Sequence, residues 1–221
     1  MIRESEVFKR TGDPAAELSD GTYNMVIGLV LCWGFLVNWV IVREVDPAWL
    51  LAMDPRGFLL GYLASCFLGY TLYCRSEEPA ISFIGYNFVV APVGLVLSVG
   101  VSRHHPDLVM QAIQITGGVT VLMLLLGSLF PQFFQAIHKT LFVSLLCVLV
   151  VELFQFLVLG IKSGWTNWVV AVIFCGYIGY DWGRANQIPK TIDNAVDSAA
   201  EIYMDIVNLF VRILRILGRR R

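Results

Sequence analysis

Apolar and polar positions alternate along this chain in long blocks. Uninterrupted apolar stretches of roughly twenty residues recur, separated by short links of charge, proline and glycine. A bilayer core about 30 Å thick takes roughly 20 apolar residues in a helix rising 1.5 Å per residue, so each block predicts one membrane-crossing helix. Seven are expected, over 24–42, 57–74, 80–101, 108–130, 140–160, 164–181 and 199–217. Links such as Arg43-Glu-Val-Asp-Pro47, Arg75-Ser-Glu-Glu-Pro79 and Arg103-His-His-Pro106 leave no room for a soluble domain. The expected fold is all-α: a polar N-terminal tail over 1–23, one seven-helix membrane bundle over 24–218 and a basic tail over 219–221.

Composition agrees. Of the 221 residues 57% are hydrophobic and 15% charged, where soluble domains usually carry about 25% charged. The net charge of −1, without a long basic run, speaks against the electrostatic footprint of a nucleic-acid binder. Cys32, Cys66, Cys74, Cys147 and Cys175 lie scattered in apolar runs and read as packing residues, not as a disulfide or zinc framework. The first twenty residues mix acids and bases and contain no apolar core of a cleavable leader, so the first span is expected to remain as an anchor. Most of the six tryptophans fall near span ends, at the headgroup level. The positive-inside rule favours a cytoplasmic N-terminus: Arg3, Lys9, Arg10, Arg75, Lys139, Arg184 and Lys190 on its side oppose Arg43, Arg56, Arg103 and Lys162. Arg219-Arg220-Arg221 would then lie outside, so either the last segment does not fully cross or the tail breaks the rule.

The last segment carries the sharpest pattern. Glu201, Asp205, Asn208, Arg212, Arg215 and Arg219 follow one another at steps of 4, 3, 4, 3 and 4, which on a helix is one narrow line among apolar residues. A surface-lying helix would carry a broader polar face, so the line is expected to point into a bundle with this helix at its centre. Ionisable groups at membrane depth mark pathways, which singles out Asp205 first and Asp181, in Tyr180-Asp181-Trp182, second. Glu152, with Gln155 on its face, reads either as a pathway residue or as a packed, protonated acid. His104, His105 and His138 fall in or beside loops, where solvated histidines are common and pH sensing stays open.

The run Ala199-Ala-Glu-Ile-Tyr-Met-Asp-Ile-Val-Asn-Leu-Phe-Val-Arg-Ile-Leu-Arg-Ile-Leu-Gly218 resembles the closing segment of the transmembrane Bax inhibitor-1 motif family. That family has a Leu-Tyr-Leu-Asp-Ile-Ile-Asn-Leu-Phe core followed by Leu-Arg-Ile-Leu-Gly, and Tyr180-Asp181 matches the Tyr-Asp pair that ends its sixth span. The resemblance implies seven helices wrapping the last, and a pH-sensitive calcium leak opened or closed by two aspartates, here Asp181 and Asp205. It implies a latch arginine near the end of the second span, for which Arg75 is the nearest match. Glu152 stands outside the family pattern.

The expected activity is therefore a calcium leak and not an enzyme. Protons and calcium are its partners alongside the bilayer, other membrane proteins are possible partners, and no resident cofactor is expected. Calcium takes six to eight oxygens, so Asp181, Asp205 and Asn208 hold it weakly, water completing its shell. Two carboxylates in an apolar bundle share a proton, and Arg212, about 10 Å past Asp205 on the line, is near enough to neutralise it. The alternatives are a non-conducting regulatory scaffold and, remotely, an intramembrane aspartyl protease. The protease setting Gly-x-Gly-Asp is replaced here by Tyr203-Met204-Asp205. Small size and tight links point to a multi-pass protein of a bacterial plasma membrane.

Overall fold

A computed structural model describes residues 17–160 and 164–219. Most of the expected N-terminal tail, Lys162 and Arg220-Arg221 lie outside these residues. Among the described residues every regular element is helical: α1 (Asp20–Glu44), α2 (Pro47–Ala52), α3 (Pro55–Arg75), α4 (Pro79–Ser102), α5 (Pro106–Leu129), α6 (Pro131–Phe154), α7 (Trp165–Ala185) and α8 (Ile192–Gly218), with a π-helical turn over Gln155–Leu159 after α6. By length and composition α1, α3, α4, α5 and α6 are apolar enough to cross a bilayer. Helices α7 and α8 make up the seven long helices.

The boundaries have local causes. α2 to α6 each open on a proline, whose missing N–H costs nothing in a first turn. The preceding residue often caps: Asp46 accepts from the Ala48 N–H at 2.8 Å and Asp54 from the Gly57 N–H at 2.9 Å. The Asp-Pro signal at 46–47 builds α2 where only a link was expected. α6 begins at Pro131, ahead of the expected 140, because its first turns hold Gln132, Gln135, His138 and Lys139, too polar to register as span. It ends through the π turn at Gly160, whose φ of 62° places it in the left-handed region natural to glycine. α8 begins at Ile192, ahead of the expected 199, since the Thr191 hydroxyl accepts from the Asn194 N–H at 3.1 Å and starts two polar turns.

The chain forms two compact units. Among the described residues the first comprises 17–103 and 185–201, the second 104–160, 164–184 and 202–219; α8 has residues in both.

In the first unit, α1 buries Tyr23, Ile27, Val30, Gly34 and Asn38, a single face at helical spacing. α3 and α4 cross at a glycine pair: a Cβ added at Gly69 would lie 2.5 Å from the Gly85 carbonyl oxygen, one at Gly85 2.7 Å from that of Gly69. Such approach replaces the hydrophobic drive that is missing between helices in lipid. Pro92 inside α4 leaves the Phe88 carbonyl without its intrahelical donor, and the Ser65 hydroxyl of α3 donates to that oxygen at 2.7 Å. The start of α8 is tied in by polar bonds: Tyr23 donates to the Asn194 carbonyl (3.3 Å) and meets the Ser198 hydroxyl (3.2 Å), while Ser82 donates to Asp193 Oδ1 (2.6 Å).

The second unit repeats the device. A Cβ at Gly127 of α5 would sit 2.4 Å from the Gly179 carbonyl oxygen of α7, and one at Gly179 2.4 Å from the Phe134 ring of α6. Trp182 Nε1–H donates to the Ser128 hydroxyl at 2.7 Å. Outward positions of α5 and α6, such as Leu125, Leu129, Phe142 and Leu153, expose more than half of their surface, as lipid-facing residues do.

Candidate functional site

The polar line of α8 is longer than the expected segment shows. Continuing back from Glu201 at steps of four come Asp197 and Asp193, so the helix reads Asp193, Asp197, Glu201, Asp205, Asn208, Arg212, Arg215, Arg219. Acids occupy the N-terminal half and arginines the C-terminal half, the order that a helix dipole favours. Starting the segment at 199 hid the first two acids; the four-residue step was the signal that would have found them.

In the first unit Asp193 and Asp197 are each 4% exposed. Asp193 accepts from Ser82, and Tyr73 of α3 lies beside Glu201 and Asp197. Arg75 ends α3 with an exposed side chain and, among the described residues, forms no ion pair within this unit. A cavity of about 730 Å³ opens between α1, α3 and α4, with Trp33, Gly61, Tyr62 and Ala91 in its wall. Its amide group, Asn87, accepts from Trp33 Nε1–H (2.9 Å) and donates to the Phe83 carbonyl (2.7 Å), so the lining is essentially apolar.

In the second unit α7 and α8 bring the carboxyl groups of Asp181 and Asp205 close enough to act on one another. Two carboxylates so placed in an apolar setting do not both ionise cheaply. Asp205 is 8% exposed and Asp181 half-buried. Around them stand His138, which the sequence left open as a pH sensor, and two groups it did not tie to the acids. Tyr177 lies near both acids, and Arg184 and His138 lie near Asp181. His138 belongs to α6, not to a loop: its imidazole stacks on Tyr180 at 4.2 Å and 21° and meets Tyr177 edge-on at 6.3 Å. Asn208, one turn past Asp205, turns its amide back on its own helix, donating to the Met204 carbonyl at 2.8 Å.

Arg212 pairs with Glu152 of α6 and not with the aspartates. Its Nη1 donates to Oε1 at 2.5 Å and its Nη2 to Oε2 at 3.1 Å, a two-pronged fork, and Nη1 also reaches Asn167 Oδ1 of α7 at 3.1 Å. Thr166 lies beside the same carboxylate. Glu152 is therefore tied to Arg212 in a network that spans α6, α7 and α8. Arg215 and Arg219 are exposed. Among the described residues no group of three or more His, Cys, Asp or Glu side chains is arranged to hold a metal ion.

A family model described as "Inhibitor of apoptosis-promoting Bax1" matches residues 17–221. The chain is similar to a BI1-like protein of Arabidopsis thaliana, 28% identical over 198 residues that cover 82% of this chain and 73% of the relative. It is similar to Bax inhibitor 1 of Schizosaccharomyces pombe, 26% identical over 170 residues, 75% of this chain and 63% of that protein. It is also similar to the inner membrane protein YbhL of Escherichia coli, 25% identical over 213 residues, 89% of this chain and 88% of the relative.

Proposed function

The chain belongs to the Bax inhibitor-1 family of multi-pass membrane proteins, and on that footing we propose that it is a pH-dependent calcium leak gated by the Asp181–Asp205 pair. The observation that carries the reading is the close approach of these two carboxyl groups, one on α7 and one on α8. Isolated carboxylates are costly at membrane depth, whereas two that share a proton satisfy one another. Loss of the shared proton leaves two like charges in contact, which either separate or take up a cation. The two helices therefore have a closed, hydrogen-bonded arrangement and an altered one, and proton activity selects between them. Calcium is the cargo: two carboxylates supply part of its oxygen shell and water the rest, which suits passage and not storage. Tyr177, His138 and Arg184 bound the pair and set the local field through which it titrates.

The test is calcium flux into liposomes of purified protein between acid and neutral pH. The parent, Asp181→Asn, Asp205→Asn and the double variant are compared. Each single replacement is expected to shift or flatten the pH profile, and the double to add little, because residues acting as a unit are not additive. Four superimposable profiles refute the gating role. A parent that carries no calcium at any pH leaves a non-conducting scaffold.

A further inference from the structure

We propose that Glu152 is the fixed counter-charge of Arg212, and that this ion pair, held across α6, α7 and α8, lets the line of α8 admit cations. The proposal rests on the leak reading above and adds a second, separate determinant to it. Three observations carry it. The fork is two-pronged, and its arginine is also held by Asn167, so three helices fix one guanidinium. The two side chains are only 13% and 29% exposed, so an unpaired charge there is strongly disfavoured. Arg212 also lies seven residues, about 10 Å along the helix, from Asp205 on the same line, so its charge faces any ion that leaves the acid pair in that direction.

The sign of that charge is what Glu152 changes. Arg212 alone presents a positive charge to a divalent cation, while with Glu152 the pair is neutral. Arg215 also acts on the Glu152 carboxylate, but it is exposed, and the hydroxyl of Thr166 and the amide of Asn167 complete the shell. A purely structural clamp needs only that the two side chains stay bonded, so Glu152→Gln, whose amide oxygen still accepts from Arg212, would leave ion preference alone. A charge-compensating pair would not. At an effective dielectric of about 20, an uncompensated charge about 10 Å away slows a divalent cation by a few hundredfold, and by about tenfold once water and salt screen it.

Calcium and chloride flux of the full-length protein in liposomes, with a thermal melt of each variant, separates these roles. Glu152→Gln is expected to cut calcium flux about tenfold, to raise chloride flux relative to calcium and to keep the pH at which the profile turns. Glu152→Gln/Arg212→Gln is expected to regain parental calcium flux to within about threefold, since the pair's net charge is again zero. If Glu152→Gln does not fold, Arg212→Gln, which leaves the Glu152 charge uncompensated, carries the test and is expected to raise calcium flux relative to chloride; an unchanged ratio overturns the proposal. Parental calcium flux in a folded Glu152→Gln, or a double variant as slow as the single, overturns the proposal while the aspartate gate stands. A parent that conducts no calcium overturns the leak reading and this proposal together.

Discussion

Replacing Gly127 by Ala probes whether the close approach of α5 to α7 sets the acid pair. The added Cβ would lie 2.4 Å from the Gly179 carbonyl oxygen and 3.2 Å from its Cα, so α7 has to retreat by about 1 Å to reach ordinary contact. Gly179 stands two residues before Asp181. An O–H···O bond works over roughly 2.5–3.0 Å, and a displacement of that size removes most of it. Overpacking of this kind costs about 1–3 kcal/mol, against a helix-propensity gain of about 0.8–1.0 kcal/mol for Gly→Ala. Gly117 of the same helix has nothing within 4 Å of an added Cβ, so Gly117→Ala collects the gain alone. The difference between the two variants, about 1–3 kcal/mol, is free of the propensity term. For a chain of this length it corresponds to about 2–12 °C in melting temperature. Thermal melts in detergent measure it, and calcium flux against pH measures its consequence: Gly127→Ala is expected to flatten the profile towards that of Asp181→Asn while Gly117→Ala stays parental. Equal melting temperatures for the two glycine variants, or a parental pH profile in a destabilised Gly127→Ala, refute the reasoning.

Three further substitutions bear on other links of the chain. Ser65→Ala strands the Phe88 carbonyl opposite Pro92 and is expected to lower stability by about 1–3 kcal/mol, read as a drop in melting temperature that Ser65→Thr largely restores. Ser82→Ala removes the donor to Asp193 and is expected to cost a similar amount; Ser82→Ala combined with Asp193→Asn, which lifts the buried charge as well, is expected to cost less than the two changes summed. Arg75→Ala tests the latch that the family resemblance implies: higher calcium flux at neutral pH than the parent is expected, and unchanged flux removes Arg75 from the mechanism while leaving the aspartates in place.

Hydropathy made the long helices legible because lipid imposes one rule on the whole chain: every spanning stretch must be apolar and roughly one bilayer long. It failed where that rule relaxes. His138 was placed beside a loop because α6 begins with two polar turns, and only the fold reveals the imidazole stacked on Tyr180 next to Asp181. Asp193 and Asp197 were missed because the expected segment began at 199, past the polar first turns of α8, where the Ser82 hydroxyl makes Asp193 tolerable. The pairing of Asp181 with Asp205 was expected from motif and spacing, and the two lie near one another on α7 and α8, which is where the gating proposal starts. Arg212 was expected to act on Asp205. Along one helix those two are neighbours, but a sequence does not tell which acid of another helix lies closer, and Glu152 does.

The charged line of α8 also bears on how this protein is made. At the centre of a lone helix, Asp and Arg each oppose entry into lipid by about 2.5–3.5 kcal/mol on the insertion scale. α8 carries several such residues and lacks the apolar composition of α1, α3, α4, α5 and α6. It therefore does not partition out of the translocon by its own hydrophobicity. During synthesis α6 and α7 emerge first and bring Glu152, Asn167 and Asp181, the groups that receive Arg212 and Asp205. Integration of α8 is thus an assembly step onto helices already waiting in the membrane, and the same segment placed behind an unrelated hydrophobic helix is left at the membrane surface.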